Sequence, residues 1–385
     1  MPSAASYRRA ARRGGFGSFS KTYGLAAGSL LEAEIVTADG VIRTVNEARD
    51  PELFWALKGG GGGTFGVVTR LTLATHPLPD KFGALTLTLQ ARSDEAFRRL
   101  IARFVDLYAS DLFNPRWGEQ VRAGPDNRLR IMMVFQGLSK AQASAAFKPL
   151  LDFANAYPAD YDGVQSLSAS DVPSRYLWNG WVLRFFARSA VEFDDRTSAS
   201  WTDFWWRGDG DQVGAFWHAY ASAWLPATLL EPSQRSALVD AWFAASRRWT
   251  VSLHFNKGLA GAPDAAIAAA RNTPMNPDVA SAFALAITAA SQPAPAANAA
   301  PEPNAAARAA RVQAAIQALR AVAPATGTYV IECDYFQPDW QRAFWGENYP
   351  RLREIKQRYD PNGLFIVHHG VDSEDWSSDG FTRRA

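Results

Sequence analysis

Five consecutive glycines, Gly59, Gly60, Gly61, Gly62 and Gly63, constrain this chain more than any other stretch. They sit between an amphipathic run, residues 51–58, and a β-type run, residues 67–73. Ordering five glycines costs more chain entropy than ordering any other five residues. A place between two ordered elements therefore points to a role beyond a tether. Without Cβ atoms the backbone takes positive φ repeatedly and comes close to a ligand, and successive amides in such a turn converge on an anion. Phosphate is the natural guest. The order of elements narrows the choice. A dinucleotide fingerprint needs strand, glycines, then helix, and here a strand follows the glycines. No Gly-Lys-Ser/Thr follows either, so this is not a nucleotide P-loop.

The rest of the composition narrows the function by exclusion. Lys and Arg number 40 against 38 Asp and Glu, so there is no strong field for nucleic acid. No apolar run is long enough to span a bilayer. The only cysteine, Cys333, excludes an intrachain disulfide and a cysteine-built metal site. The five histidines, at 76, 218, 254, 368 and 369, show no metal spacing. His368 and His369 are adjacent and would point to opposite faces of a strand, so no metal site is expected. No Gly-x-Ser-x-Gly elbow is present. The expected partner is a small-molecule substrate, with no nucleic acid and no membrane, and no feature sets an oligomeric state. Without a signal segment in view, the default location is cytoplasmic.

Along the chain, a second glycine cluster at residues 14–17 precedes a strand over 30–37, a tight turn at 38–40 and a returning strand over 41–45. Asp50 reads as an N-cap with Pro51 at the first helical position. From residue 81 the pattern becomes strand (84–90), helix (93–109), a hairpin (115–123 and 129–136 across 124–127) and helix (139–156). That order predicts an α+β domain with an antiparallel sheet. Residues 157–200 are aromatic-rich and resist assignment. Helices are expected over 209–224, 232–247, 263–271, 277–290 and 304–322, with strands over 250–255 and 327–335. Helical turns follow at 340–344 and 349–358. Residues 291–303 read as an exposed low-complexity loop, and 371–385 as a polar surface tail. Lys257 reads as a solvated loop lysine.

Three segments carry a family resemblance: residues 14–25 (GGFGSFSKTYGL), 31–40 (LEAEIVTADG) and 50–73 (DPELFWALKGGGGGTFGVVTRLTL). They resemble the second half of the flavin domain of FAD-linked oxidases like berberine bridge enzyme, in the vanillyl-alcohol oxidase superfamily. Residues 348–365 (NYPRLREIKQRYDPNGLF) resemble that family's C-terminal segment. The resemblance implies an α+β fold: a partial PCMH-type FAD-binding domain plus an antiparallel-sheet substrate domain with flanking helices. It divides the chain into an unmatched basic start (1–13), the second part of the FAD domain (14–79), the substrate domain (80–338) and a C-terminal segment returning to the FAD domain (339–385). It implies FAD as cofactor, with oxidation of an alcohol, sugar or amine by hydride transfer to flavin N5 and O2 as acceptor.

Carried over by residue, Gly14, Gly15 and Gly17 match one family turn beside FAD. Gly59, Gly60, Gly61, Gly62, Gly63, Phe65, Gly66 and Val67 match the other. Asn348 and Tyr349 match an Asn-Tyr pair near the flavin ring, and Tyr329 matches a tyrosine that serves as base. A phenol needs help in that role because its free pKa is about 10. Ile331 stands where the family has asparagine. The family's first FAD subdomain, with its flavin-linking histidine and cysteine, has no counterpart: no histidine precedes His76. The expectation is an N-terminally shortened chain in which covalent FAD attachment is not supported, and whose secretion signal could have been lost with the missing half. The alternative is a non-enzymatic remnant or interaction protein without bound flavin.

Overall fold

The computed structural model describes residues 14–162, 167–210, 214–292, 303–377 and 379–384. The basic start and most of the low-complexity loop expected at 291–303 lie outside these residues. The largest element is a seven-stranded antiparallel sheet of order β10-β12-β11-β5-β6-β4-β7. Its strands are β4 (Lys81–Gln90), β5 (Trp117–Ala123), β6 (Arg128–Gln136), β7 (Leu167–Pro173), β10 (Phe216–Pro226), β11 (Val251–Phe255) and β12 (Ala282–Gln292). Period-two patterning explains the central hairpin. Val121, Leu129, Ile131, Met133 and Phe135 point into one core, while Gln120, Arg122, Arg130 and Met132 alternate to the opposite face. The helices Asp94–Leu107, Arg235–Arg248 and Ala305–Arg320 cover the apolar face. Ser93 caps the first, accepting from the Ala96 amide.

A smaller sheet of order β2-β1-β3 is built from β1 (Leu30–Val36), β2 (Ile42–Val45) and β3 (Val67–Leu73). Its core includes the helix Pro51–Leu57 and is completed by residues nearly 300 positions later. Trp340, Phe344, Trp345, Tyr349, Leu352 and Ile355 pack with Leu53, Phe54, Leu57 and Phe65. The pair β8 (Val191–Phe193) and β9 (Phe204–Trp206) forms a separate two-stranded ribbon.

Several expectations are corrected. The helix expected over 209–224 is largely strand β10, and that expected over 277–290 is a short 3-10 turn, Pro277–Ala280, followed by β12. Both segments are rich in alanine, the strongest helix former. In β10 the alanines are in fact alternate: Ala219, Ala221 and Ala223 face the core while Tyr220, Ser222 and Trp224 face away. β12 is covered on both faces, which erases alternation. Residues 327–335 form turns rather than a strand, because their main chain bonds elsewhere. Thr328 N–H donates to the Ala343 carbonyl and Tyr329 N–H to Ser222 Oγ. The helix expected over 139–156 breaks at Phe147, before Pro149, into Lys140–Ala146 and Lys148–Ala156. Asp50 caps nothing: it sits at φ 47° and accepts from Tyr359 Oη instead. Asn304 likewise makes no side-chain cap.

His368 and His369 lie on a turn, not a strand, and their rings stack 3.9 Å apart. Among the described residues, no cluster of His, Cys, Asp and Glu could hold a metal, and no helix is long and apolar enough to cross a membrane. The tail expected to be surface begins buried: Val371 and Asp372 are inside, and Arg353 pairs with Asp372 at 2.8 Å and Asp375 at 2.7 Å.

Candidate functional site

The two glycine turns meet across one side chain. A Cβ on Gly14 would fall 2.3 Å from Met275 Sδ, and one on Gly59 would fall 2.7 Å from Met275 Cγ. Only glycine lets both backbones close on that thioether. Asn348 belongs to the same junction, its Nδ2 donating to the Met275 carbonyl at 2.9 Å. Asn276 beside it donates to the carbonyls of Arg342 and Ala343. Residues 14–17, 59–63, 275–276 and 342–348 are therefore one assembly. Nothing in the local sequence marks Met275, since its role is set by partners hundreds of positions away.

Within the first turn two amides are already engaged. Gly15 N–H donates to Tyr329 Oη at 3.3 Å, and Gly17 N–H to Ser20 Oγ at 2.8 Å. The pentaglycine turn differs. Gly60 N–H donates back to the Ala56 carbonyl. Among the described residues, the amides of Gly61, Gly62 and Gly63 have no protein acceptor. Gly61 and Gly63 have φ of 99° and 78°. Thr64 Oγ1, buried alongside, is also without a partner. Three amides without a described acceptor beside an unsatisfied hydroxyl supply the kind of donors from which anion-binding concavities are built. The donor set fits a phosphate group, and Gly61, Gly62, Gly63 and Thr64 are the residues that would hold it.

Beneath this loop lies an ion pair the sequence did not flag. Lys356 and Asp360, both fully buried, are bonded to each other. Lys356 Nζ also donates to the carbonyls of Thr64 and Phe365, each at 2.8 Å. Asp360 accepts from the amides of Leu364 and Phe365. All three ammonium donors are used, and the far end of the glycine loop is pinned to the 360–365 turn. Phe65 lies in the smaller core. Gly66 abuts the Val36 carbonyl, and Val67 is an exposed residue of β3 paired with Val36. Tyr349 is a core residue too: its hydroxyl bonds the Glu374 carboxylate at 2.5 and 2.6 Å. The structure thus brings Gly14, Gly15, Gly59, Asn348 and Tyr329 together. It places Phe65, Val67 and Tyr349 in packing or sheet positions.

Tyr329 links the glycine assembly to the open face of the large sheet. It is buried, with its ring 4.4 Å from Phe16 and 6.4 Å from Trp224. On that face polar side chains collect. Lys257, far from solvated, is 8% exposed. Its Nζ pairs with Glu119 at 3.4 Å and sits 4.8 Å from the Phe16 ring centroid. Burial would raise the Glu119 pKa, but the Lys257 charge and the Ser18 hydroxyl hold it below the usual value. His254, on the adjacent strand, is driven down to about 3 by burial and then by the Lys257 charge, so it stays neutral. Glu332, in the turn after Tyr329, is raised by burial to about 7 against the pull of Lys257. Its carboxylate accepts from the Tyr220 hydroxyl. The face therefore carries a fixed cation, a fixed anion, a neutral imidazole and a carboxyl poised near neutrality. Spread acidities of this kind occur both at sites of proton chemistry and in structural ion-pair networks. The sequence showed these residues but not their meeting, because they come from β5, β10, β11 and two loops.

Residues 328–372 match the family model described as berberine and berberine like. The FAD-linked oxidoreductase ZEB1 of Gibberella zeae is 28% identical over 94% of this chain and 58% of its own length. An FAD-linked oxidoreductase of Hypocrea jecorina is 26% identical over 94% of this chain and 56% of its own length. The chain thus spans under three-fifths of these relatives. Among solved structures, a VAO-type flavoprotein from Myceliophthora thermophila superposes with TM-score 0.72 at 23% identity, covering 96% of this chain and 61% of that one. A carbohydrate oxidase from Microdochium nivale superposes with TM-score 0.67 at 21% identity, covering 95% and 71%. These structural likenesses speak for the mixed α+β fold.

Proposed function

From its resemblance in sequence and fold to the berberine-bridge-enzyme-like FAD-linked oxidoreductases, we propose that this chain binds FAD and oxidises a small alcohol, sugar or amine on the open face of its large sheet. The observation that carries the reading is the set of three unengaged amides and the orphaned Thr64 hydroxyl at the pentaglycine turn. A diphosphate satisfies them without a compensating cation, because half-buried amide dipoles stabilise the charge. Bound there, FAD would supply a two-electron oxidant that takes hydride at N5, with O2 regenerating it. The chain's own residues position and exclude. Met275 fixes the two glycine turns against each other, Phe16 and Tyr329 wall the passage between turn and sheet, and Lys257 with Glu119 orients a polar substrate.

The test is a titration of the purified chain with FAD. Uptake should give a yellow protein absorbing near about 450 nm, and Gly61→Val should weaken that uptake by at least tenfold. A chain that stays colourless at saturating FAD removes this reading.

One observation favours a second reading, an interaction protein without flavin. Trp178, Trp181, Phe185, Phe186, Phe216 and Trp217 are all exposed, an unusual density of large aromatics on a surface. Under that reading these residues bury on a partner and FAD has no effect on the chain.

A further inference from the structure

We propose that Arg122 recognises a carboxylate on the substrate, so that the compound oxidised on this face is a hydroxy acid or a sugar acid. The proposal names the substrate class of the site described above and rests on the reading that the open face of the large sheet is where substrate is oxidised.

The placement follows from strand register. Arg122 lies on β5 and faces the open side, directly opposite Arg130 on β6 and Ser252 on β11. Two like charges in register across a ladder repel. Arg130 is neutralised, with Nη2 2.5 Å from the Asp126 carboxylate. The same carboxylate lies 4.0 Å from Arg128. Among the described residues these three arginines have one acid between them, and Arg122 is the one left out.

Arg122 is nonetheless held in place. Its Nε donates to Gln120 Oε1 at 2.7 Å, and Ser252 Oγ donates to the same oxygen at 2.8 Å. That relay uses one guanidinium N–H and orients the plane. The remaining N–H groups, on Nη1 and Nη2, have no protein acceptor among the described residues. A guanidinium fixed at one edge with its fork unspent is pre-organised for a planar anion that offers two oxygens.

The neighbours suit that guest. His254, paired in register with Gln120, stays neutral at physiological pH. The Arg122 charge lowers the pKa of both His254 and Tyr220, which sets the guanidinium beside two polar groups of the same face. Lys257, the other cation there, is paired with Glu119. One unspent guanidinium balances one negative charge. A carboxylate carries one, whereas a phosphate ester carries about 1.5 to 2 at neutral pH and needs a second cation that Asp126 has already engaged.

The test measures calorimetric binding to the full chain, with and without FAD. Mandelate and glucuronate are the acid probes, mandelamide and glucuronamide their neutral counterparts, and glycerol phosphate the phosphate control. At least one acid should bind about tenfold tighter than its amide, and the gap should shrink as salt is raised. In Arg122→Gln the gap should close while the amide binds as before. Arg122→Lys should restore only part of it, since an ammonium offers no fork. Neither change should lower the melting temperature, because the side chain is exposed. With FAD bound and air excluded, the preferred acid should bleach the flavin and its amide should not at the same concentration. A gap that survives in Arg122→Gln overturns the proposal. So do equal binding of acids and amides, no binding of either acid, tighter binding of glycerol phosphate, or an acid that binds beside FAD without bleaching it. Binding is also read without flavin, so a chain that shows the Arg122-dependent gap but takes up no FAD loses the oxidoreductase reading and keeps the carboxylate site.

Discussion

At the scale of single residues, two buried groups contribute in opposite senses to how stability depends on pH. Lys21 is buried with its Nζ 3.5 Å from the Phe113 ring centroid and, among the described residues, without a hydrogen-bond acceptor. Burial lowers its pKa from 10.5 to about 7. Between those values the unfolded chain binds the proton and the folded one does not, so stability rises with pH across the window. Below about 7 both states are protonated and the cost of the buried ammonium is constant. Lys21→Met should raise the melting temperature at neutral pH and flatten that slope. Melting curves that keep the wild-type rise in the variant would show the slope has another source. Glu332 runs the other way: its folded value, about 7, lies above 4.5. The folded state binds the extra proton between them, and stability falls as pH rises through that range. Glu332→Gln should remove this loss.

At the scale of elements, the pentaglycine loop is held by two devices with separate signatures. Removing the buried ammonium in Lys356→Met strands Asp360 and frees the Thr64 carbonyl, a loss of about 3–5 kcal/mol in urea unfolding. Shortening Met275 to alanine opens a void between the glycine turns and costs about 2–5 kcal/mol. It should also weaken FAD uptake, whereas a variant that unfolds earlier but binds FAD as before would confine Met275 to packing. The legibility of these elements divides along physical lines. The hairpin of β5 and β6, the helix Asp94–Leu107 and the hairpin of β1 and β2 follow from local alternation, capping and turn chemistry, and the sequence predicts them. β10 and β12 are not legible, because alanine reads as helix and a strand covered on both faces has no alternation. Tyr329 and the glycines are visible as a motif. Met275, Lys356 and Arg122 are not, since each owes its role to a contact across a hundred or more positions.

At the scale of the molecule, a ligand that binds only the folded chain must stabilise it. FAD at about a hundredfold excess over its dissociation constant should add about 2.7 kcal/mol, read as a rise in melting temperature that grows with FAD concentration. A melting temperature indifferent to FAD would favour the interaction reading. The mixed α+β architecture was legible because the order of strands and helices from residue 81 points to it and four separated segments carry the resemblance. The polar face was not, because three strands and two loops contribute to it. The smaller core has a further consequence for how the chain comes into being. Leu53, Phe54 and Leu57 are made nearly 300 positions before the side chains that cover them, Trp340 to Ile355. During synthesis that half of the core waits, uncovered, while the intervening residues emerge. The large sheet, whose strands β4, β5 and β6 are close in sequence, is free to condense first. Ribosome-bound nascent chains arrested before residue 340 should therefore recruit holdase chaperones to residues 51–57, and release them only when the final helix has cleared the exit tunnel.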